Sequence, residues 1–437
     1  MVALTPSQKT ALDEIIKAHA EKRPTHLLTG YAGSGKTTLM QEVARHFLRL
    51  NVVTVITAPT HKATAVLRSK VDKTVECRTI QSHLSLQPSS QGGKTTLVRA
   101  KRPQTIPDGV VIVDECSMIS RELMGWIRDL LKYCFVLFVG DPAQLPPVGE
   151  DASPSFSVPS TSHLETVVRQ AAGNPILEAA TIIRQSQGGD VDWSWVQDAR
   201  KGSSGLFVPK DVESWVRKAF TSDAFDADND SFRYLCWTND RVHQVNQMVR
   251  QWRYGETIDR PFMPGERAVA RAPFSRQNED KSRQQIATNE EVLVMDIQAS
   301  RLSYRFEACG SLAAWTTDLP AWELTVLTLA GEEITAHLVQ DPRDLQSVDR
   351  RLVQEAKQER KRWQQRFAFQ SALLNLQAIY AMTVHTSQGS TFRNVFVDLG
   401  DIRRRAGGNP LETQQLCYVA LTRATDMVFL VNTGSAN

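Results

Sequence analysis

Apolar residues follow two patterns along this chain, and each pattern predicts a different element. Apolar runs without alternation occur at 52–56, 110–113 and 135–139, and such runs are typical of strands buried on both faces of a parallel sheet. The segments between these runs have the apolar spacing of helices. Strands that alternate with helices predict an α/β fold. In such a fold, the loops after the carboxyl ends of the strands carry the functional groups.

The first predicted helix begins at Thr5-Pro6-Ser7-Gln8, where a proline occupies the first turn and T-x-x-Q forms a capping box. Gln8 therefore has a structural interpretation, a hydrogen bond back to the start of the helix. A second interpretation, as a nucleotide contact, depends on a family resemblance described below. Both interpretations stay open at this point.

Length and composition bound the class of protein. A chain of 437 residues is too long for one hydrophobic core and predicts at least two domains. Hydrophobic residues make up 41% and charged residues 23%, as in ordinary soluble proteins. No apolar run approaches the roughly 18 residues of a membrane span. The first residues also lack the pattern of a signal peptide, so we expect a cytoplasmic protein.

Cysteine usage and net charge give weaker indications. The six cysteines are scattered and form no C-x-x-C pair, so the sequence indicates neither a zinc site nor a disulfide framework. The net charge of +3 is too small to indicate a polyanionic partner. It is compatible with a basic groove that acidic surface elsewhere balances.

A glycine-rich segment, Gly30–Thr37, matches the phosphate-binding loop G-x-x-x-x-G-K-[ST]. A buried strand is predicted before it and a helix after it, which is the context that this loop requires. The glycines allow successive backbone N–H groups to surround a phosphate at the positive end of the helix. Lys36 supplies a charge for the outer phosphates, and Thr37 a hydroxyl ligand for Mg²⁺. The residues predicted to hold a nucleoside triphosphate are Gly33, Ser34, Gly35, Lys36, Thr37 and Thr38.

Polar residues that follow the later apolar runs predict the rest of a hydrolytic site. Asp114 ends the run 110–113 and is predicted to provide the second Mg²⁺ contact. The adjacent Glu115 can accept a proton from the attacking water. Gln144, within the rigid turn Gly140–Pro147, is predicted to sense the γ-phosphate. The plain alternatives are a solvated acidic turn and a stiff connecting turn.

Further segments bearing polar and charged residues follow the phosphate loop along nearly the whole chain. In this order and spacing they resemble the motifs of superfamily 1 helicases, and within that superfamily the Dda/RecD branch. The segments are 57–63, 113–119, 140–147, 168–170, 236–239, 383–389 and 418–424. The series is far more specific than any single member.

The resemblance implies an α/β fold with two tandem RecA-like P-loop motor domains. It also implies a small β-hairpin insertion in the first domain and a β-barrel plus helical insertion in the second. The expected ranges are 1–160 for the first domain with its hairpin at 84–108, 161–260 and 377–437 for the second domain, and 261–376 for the barrel with a projecting helix.

The resemblance also assigns roles to residues. Arg169 and Arg423 would come from the second domain and stabilise charge on the transferring phosphoryl group. The alternative for each is an ordinary surface arginine or one half of an ion pair. Leu421–Ala424 is predicted to open a helix. Gln8 and Gly389 would join the ATP site. The residues implied to contact DNA are Thr60, His61, Lys62, His83, Thr238, Asn239, Thr383, His385 and Ser387. Both His61 and His83 have packing as an alternative interpretation.

Two insertions have readable patterns. Gln91-Gly92-Gly93-Lys94 predicts the turn of a hairpin, which in related helicases splits the duplex, with Leu97 or Val98 as a candidate wedge. A plain surface hairpin is the alternative. Asp341-Pro342 predicts the start of one long charged helix that continues to about Phe367. Its charged faces are either solvated or in contact with DNA or a partner.

The function implied by the resemblance is an ATP- and Mg²⁺-dependent DNA helicase, that is, a hydrolase that moves 5′ to 3′ on single-stranded DNA and unwinds forked or tailed duplex. Protein partners in replication or recombination are the expected context, and no membrane partner is expected. An RNA helicase is one alternative. A nucleotide-gated DNA-binding subunit of a larger complex is another.

Overall fold

The computed structural model describes residues 4–91, 94–164, 174–186, 193, 196, 198–201, 204–255, 259–277, 283–406 and 408–431. The chain forms two compact units. One unit comprises Met1–Val245 and Ala381–Asn437, and the other comprises Asn246–Tyr380. Within the described ranges, no helix has both the length and the apolar character that crossing a bilayer requires.

The first part of the larger unit is an α/β domain around a parallel sheet. Its elements are α1 (Pro6–Ala20), β1 (Thr25–Gly30), α2 (Lys36–Arg49), β2 (Thr54–Ala58), α3 (His61–Lys70), β3 (Glu76–Thr79), α4 (Ile80–His83), β4 (Leu86–Gln91), β5 (Lys94–Arg99), β6 (Val110–Val113), α5 (Arg121–Leu130), β7 (Phe135–Gly140) and β8 (Thr161–Leu164). The strand order is β3-β2-β6-β7-β1-β8. Every residue of β6 and β7 is buried, which confirms that the apolar runs predict strands covered on both faces.

The second part of the larger unit is another α/β domain. It begins with α6 (Pro175–Gln185), β9 (Asp198–Lys201), β10 (Ser204–Phe207), α7 (Val212–Phe220), α8 (Asp223–Ala227), β11 (Phe232–Cys236) and α9 (Asn239–Tyr254). After the smaller unit, the chain returns to this domain at Ala381 and completes it. The strand order is β19-β11-β20-β21-β10-β9, and β9 pairs antiparallel with β10. Two domains with parallel strands confirm the predicted α/β class.

The smaller unit and the return of the chain supply the remaining elements. They are β12 (Arg267–Ala270), β13 (Phe274–Gln277), β14 (Arg283–Ile286), β15 (Glu291–Phe306), β16 (Trp315–Thr328), β17 (Glu333–Val339), α10 (Pro342–Gln358), α11 (Arg362–Ser371), β18 (Leu376–Ala378), β19 (Ala381–Thr383), β20 (Phe392–Asp398), α12 (Leu399–Ala406), α13 (Pro410–Leu421) and β21 (Ala424–Val431). In the smaller unit, an antiparallel sheet has the order β17-β16-β15-β12-β18, where a barrel was predicted.

Two predicted domain boundaries change. Strand β8 pairs in parallel with β1, with Thr161 opposite Leu27, so the first domain extends beyond residue 160, where we predicted its end. The smaller unit, Asn246–Tyr380, is longer than the predicted insertion 261–376. It is longer because it takes in the second half of α9 and the residues that follow β18.

The predicted hairpin of the first domain is confirmed. Strands β4 and β5 pair antiparallel from Leu86 opposite Arg99 to Gln91 opposite Lys94, and residues 92–93 lie outside the described residues. Leu97 is partly buried against the core of the first domain, whereas Val98 is 37% exposed. Of the two candidate wedge residues, Val98 is therefore the one on the surface.

The single long helix predicted from Asp341 to about Phe367 is wrong. Helix α10 ends at Gln358, and Glu359 has an extended backbone with φ −127° and ψ 107°. The Glu359 carboxylate accepts a hydrogen bond from Ser311 N–H at 2.9 Å. Arg362, which is fully buried, donates to the Glu307 carbonyl at 3.0 Å. These tertiary contacts outweigh a local sequence that favours continuous helix.

The predicted helix start at Leu421–Ala424 is also wrong. Helix α13 ends there, because Thr422 N–H donates to Tyr418 C=O at 3.1 Å and Arg423 N–H to Ala420 C=O at 3.3 Å. The Arg423 carbonyl then accepts from Phe392 N–H at 2.8 Å. The segment therefore closes a helix and leads directly into β21.

Candidate nucleotide site and nucleic-acid track

The phosphate loop joins the end of β1 to the start of α2. Gly33 has φ 81° and Gly35 has φ 85°, and this left-handed region is accessible to glycine at little cost. No side chain caps α2 at Gly35, which leaves the first N–H groups of the helix available for an anion. Lys36 Nζ donates to the carbonyls of Gly30 at 2.6 Å and Tyr31 at 3.1 Å. The loop thus carries both the Lys36 ammonium group and the uncapped N–H groups at the start of α2.

Gln8 forms the capping contact that the sequence predicts, and it also contacts the phosphate loop. Thr5 N–H donates to Gln8 Oε1 at 2.9 Å, and Gln8 N–H donates to Thr5 Oγ1 at 3.3 Å, so the capping box is present. The Gln8 amide also donates to the Gly35 carbonyl at 3.3 Å, which places this buried side chain against the phosphate loop. A direct contact of Gln8 with a nucleotide stays a prediction.

The acidic pair lies at the end of β6, beside β2. Asp114 N–H donates to the Thr57 carbonyl at 2.8 Å, which continues the parallel ladder to the end of the strand. Burial and the charge of Glu115 raise the pKa of Asp114 to about 7. Glu115 has φ 52°, a left-handed conformation that is costly for a residue other than glycine. Strain and a perturbed pKa together are typical of functional sites.

The residues present fit a triphosphate with Mg²⁺. Ser34 Oγ and Gln144 Oε1 are buried and find no hydrogen-bond partner in the described part of the chain, which is costly for a polar group. Both lie on the loops predicted to contact phosphate. Hydroxyl and carboxylate oxygens, which Thr37 and Asp114 offer, are the ligands that Mg²⁺ prefers. These residues would hold the metal, and the Lys36 amine would face the phosphates.

The second α/β domain reaches this site through helix α13. Tyr418 Oη donates to Asp141 Oδ2 at 2.6 Å and accepts from Ala32 N–H at 3.1 Å. Ala32 belongs to the phosphate loop, and Asp141 belongs to the turn that carries Gln144. Burial and the Asp141 carboxylate raise the pKa of Tyr418 above its ordinary value, so the phenol keeps its proton. One hydroxyl therefore joins both loops to the second domain.

The segment 383–389 makes a second connection between the α/β domains. Gln388 Nε2 donates to the Leu145 carbonyl at 3.2 Å. Gly389 has φ 72°, and a Cβ at this position would lie 2.9 Å from Ala63 Cβ on α3. Glycine at 389 thus allows a close approach of the two domains, whereas its predicted contact with ATP stays a prediction.

The two predicted catalytic arginines differ in what the structure shows. Arg169 lies outside the described residues. Arg423 is 6% exposed, and its guanidinium donates to the carbonyls of Val419 and Ser390, both at 3.1 Å. It therefore links the end of α13 to the loop after Gly389, and it does not face bulk water.

Sequence comparisons identify relatives over the whole chain. Residues 3–199 match the family described as AAA domain, and residues 378–431 match the family described as UvrD-like helicase C-terminal domain. The ATP-dependent DNA helicase Dda of Enterobacteria phage T4 is 26% identical over 447 residues, covering 98% of this chain and 99% of that protein. Over nearly the whole chain, these relatives support a superfamily 1 helicase of the Dda/Pif1-like type.

Two further similarities agree with this assignment. The RecD2 DNA helicase of Deinococcus radiodurans is 25% identical over 94% of this chain, which covers 47% of that protein. A structure of Pif1 from Bacteroides in complex with ADP-AlF3 and single-stranded DNA has a TM-score of 0.51 at 14% identity, covering 98% of this chain and 92% of that chain. The structural similarity shows the fold, so the two α/β domains of this chain are RecA-like.

Several residues predicted to contact DNA lie on turns or at helix starts that follow parallel strands of the two α/β domains. His61 and Asn239 are exposed. Lys62 Nζ lies 5.0 Å from the centroid of the Phe392 ring. Burial lowers the pKa of His385 from its ordinary value, and the charge of Glu412 partly opposes this. Contacts of these side chains with DNA stay predictions.

The predicted threonines use their hydroxyl groups within the protein. Thr60 Oγ1 accepts from Ala63 N–H at 3.2 Å and caps α3. Thr238 Oγ1 donates to Asp401 Oδ1 at 3.0 Å, and Thr383 Oγ1 lies 2.9 Å from Thr386 Oγ1. Each hydroxyl therefore shapes a turn as well as lying at a predicted DNA position.

Two of the residues predicted to contact DNA are buried in this structure. Ser387 is fully buried, and its hydroxyl donates to the Val384 carbonyl at 2.7 Å. His83 is 4% exposed, and neither of its ring nitrogens finds a partner in the described residues. Burial lowers the pKa of His83 to about 4, Arg78 lowers it as well, and Glu76 opposes them. The burial of His83 favours its packing interpretation, and contacts of both residues with DNA stay predictions.

The Tyr418 contacts, in contrast, were missed by the sequence reasoning. Tyr418 belongs to a segment that carries the family resemblance, but no role followed for it from local pattern. The only available signal is a phenol within an otherwise apolar helix segment, because a buried Tyr hydroxyl usually has a hydrogen-bond partner.

Replacing Tyr418 with Phe removes the hydrogen bonds to Asp141 and Ala32. Because a buried carboxylate loses a donor, we expect the free energy of unfolding to fall by roughly 1.5–3 kcal/mol, measured by urea denaturation. Tyr133→Phe, at a residue 73% exposed, is the matched control and should change little. Equal stability of the two variants would contradict the structural role of the Tyr418 hydroxyl.

The buried His83 predicts an acid-dependent loss of stability. Its pKa of about 4 lies below the ordinary value of 6.5, so the unfolded chain binds the proton first and stability falls as the pH drops from about 6.5 towards 4. His83→Leu should remove this contribution, which amounts to roughly 1.4 kcal/mol per pH unit at most. Urea unfolding between pH 7 and 4.5 measures it. His61→Leu, at an exposed histidine, should keep the wild-type slope, and an unchanged slope in His83→Leu would refute the prediction.

Proposed function

We propose that this protein is an ATP-driven DNA helicase that hydrolyses ATP between its two RecA-like domains, moves 5′ to 3′ along single-stranded DNA and separates the duplex ahead of it. The observation that supports this most directly is the pair of Tyr418 hydrogen bonds to Ala32 and Asp141. They join the second domain to the phosphate loop of the first. Chemistry at such a boundary depends on domain closure, and therefore couples to movement.

The residues of the first domain have distinct roles in this proposal. Bound ATP supplies the phosphoryl group, and Mg²⁺ neutralises charge on its oxygens. Lys36 binds the outer phosphates, while Thr37 and Asp114 hold the metal. Glu115 accepts the proton of the attacking water. Gln144 orients that water through its amide, which bonds without carrying a charge.

The second domain provides cations. Arg423 and, by the family resemblance, Arg169 stabilise the charge that develops on the transferring group. The buried guanidinium of Arg423 bonds to the Ser390 carbonyl at 3.1 Å, next to the glycine that approaches α3. For its role in catalysis, the Arg423 guanidinium exchanges its hydrogen bond to the Ser390 carbonyl for one to a phosphate oxygen when the domains close on a nucleotide.

The choice of DNA as substrate rests on the relatives. Dda of phage T4 is described as an ATP-dependent DNA helicase, and a Bacteroides Pif1 structure is described as bound to single-stranded DNA. In this chain, the proposed track includes Thr60, His61, Lys62, Asn239 and His385. Largely neutral donors suit repeated grip and release, because a strongly cationic track binds too tightly and with too steep a salt dependence.

The hairpin of β4 and β5 is the proposed strand separator. It projects between Ser85 and Ala100, which hydrogen-bond at 2.8 Å at its base. The smaller unit is the proposed clamp on single-stranded DNA.

Lys36→Ala tests the assignment of the ATP site. Removal of one such electrostatic group should lower DNA-stimulated ATP hydrolysis by roughly a hundredfold or more, with little change in the unfolding curve. Lys17→Ala, at a side chain 74% exposed, is the matched control and should keep the wild-type rate. An unchanged rate in Lys36→Ala would rule out this loop as the site of hydrolysis.

Strand-displacement assays test the direction and the substrate. Duplexes with a 5′ single-stranded tail should be unwound, and duplexes with a 3′ tail should not. Stimulation of ATP hydrolysis by single-stranded DNA above that by RNA is expected in the same preparations. A preference for 3′ tails would refute the proposed direction, stronger stimulation by RNA would favour an RNA helicase, and DNA binding without turnover would favour a nucleotide-gated binding subunit.

A further inference from the structure

An arginine of the second α/β domain stacks on the phosphate loop of the first. The Arg184 guanidinium carbon lies 3.3 Å from the centroid of the Tyr31 ring, the second residue of the loop. The ring of His163, at the end of β8, meets Tyr31 edge-on with centroids 5.4 Å apart. Tyr31 is therefore held between one residue of its own domain and one of the other.

The stack has the geometry of a specific contact. A planar guanidinium attracts the face of an aromatic ring both as a cation and by stacking, which an ammonium group does less well. A separation of 3.3 Å is van der Waals contact. Both side chains are partly buried, so water weakens the attraction less than it would on an open surface.

Helix α13 fixes the backbone that carries Arg184. The Gln414 amide donates to the Ile183 carbonyl at 2.7 Å and to the Arg184 carbonyl at 2.8 Å. Tyr418 lies four residues further along α13 and therefore on the same face of the helix. Its hydroxyl bonds to Ala32, the residue after Tyr31. The charge of Arg184 also opposes the rise in the pKa of Tyr418.

Tyr31 is connected to the catalytic lysine. The Tyr31 carbonyl accepts a hydrogen bond from Lys36 Nζ at 3.1 Å. A displacement of the Tyr31 ring moves the backbone that shapes the phosphate cradle and this carbonyl with it. A movement of the second domain can thus change the phosphate loop through the Tyr31 ring.

We propose that Arg184 is a positioning residue of the ATPase: by stacking on Tyr31 it holds the phosphate loop in the form that hydrolyses ATP when the second domain closes. Arg184 acts through the ring and touches no phosphate, unlike the roles proposed for Arg169 and Arg423. The inference rests on the proposed function, since it assigns a residue to the same site.

Steady-state kinetics of a double-mutant cycle provide the test. Arg184→Ala and Tyr31→Ala should each lower kcat for DNA-stimulated ATP hydrolysis by about three- to thirtyfold, the factor that corresponds to one such contact. The double variant should lose no more than either single one, because both changes break the same contact. The affinity of Arg184→Ala for ATP without DNA should stay at the wild-type value.

Two conservative variants separate stacking from other roles. Tyr31→Phe keeps the ring and should lower kcat less than Tyr31→Ala does, whereas Arg184→Lys keeps the charge but loses the planar stack and should resemble Arg184→Ala. Normal kcat in Arg184→Ala would overturn the proposal. So would additive losses in the double variant, or a loss in Arg184→Ala that Tyr31→Ala does not reproduce, since this would indicate direct contact with the nucleotide.

A distance measurement keeps the test independent of turnover. Spin labels on cysteines introduced at Leu50 and Leu411, residues 59% and 55% exposed, report the separation of the two α/β domains with a non-hydrolysable ATP analogue. The native cysteines are buried and should not label. Arg184→Ala should reduce the closed population, and an unchanged distance distribution would overturn the proposal. Wild-type protein without ATPase activity would instead refute the proposed function, whatever the labels show.

Discussion

The shared hydroxyl of Tyr418 is the contact on which the arrangement of the two RecA-like domains depends. Asp141 is fully buried, and a buried carboxylate is tolerated only when donors surround it. One donor is Ala143 N–H at 3.0 Å, in its own domain, and another is the Tyr418 hydroxyl from the other domain. Separation of the domains removes a donor from that charge. The resulting cost favours the arrangement in which the two domains meet at the phosphate loop.

The site itself contains groups that the protein alone leaves in unfavourable states. Glu115 has a left-handed backbone, and burial, together with the charge of the adjacent Glu115, raises the pKa of the Asp114 carboxyl to about 7. Ser34 Oγ and Gln144 Oε1 are buried without partners in the described residues. In the proposed function, a divalent cation would offset the repulsion within the acidic pair, and a triphosphate would bond to the two unpartnered groups. Nucleotide binding would then satisfy polar groups that folding leaves without partners in the described residues.

Features that depend on residues close together in the chain could be predicted from the sequence. The phosphate loop, the acidic pair after β6 and the hairpin were all predictable, because each is a local pattern of turn residues or of strand followed by polar residue. The Tyr418 contacts join residues 277 and 386 positions apart in the chain, and no periodicity records such a pairing. His83 is a second example, since the family resemblance implied a DNA contact for it but tertiary packing encloses the side chain.

The basic helices of the smaller unit show why a charge run is a weak guide to nucleic-acid binding. Arg351 Nε lies 2.9 Å from Glu355 and its guanidinium stacks 3.7 Å from the Trp315 ring centroid, while Arg366 bonds Asp349. Arg362 is fully buried and lies 2.9 Å from Glu355. These cations cover the aromatic end of the long β15–β16 pair, and their carboxylate partners neutralise them. A run of arginines indicates a polyanion surface only when acidic residues do not pair with it, and here Glu355 and Asp349 pair with these three arginines.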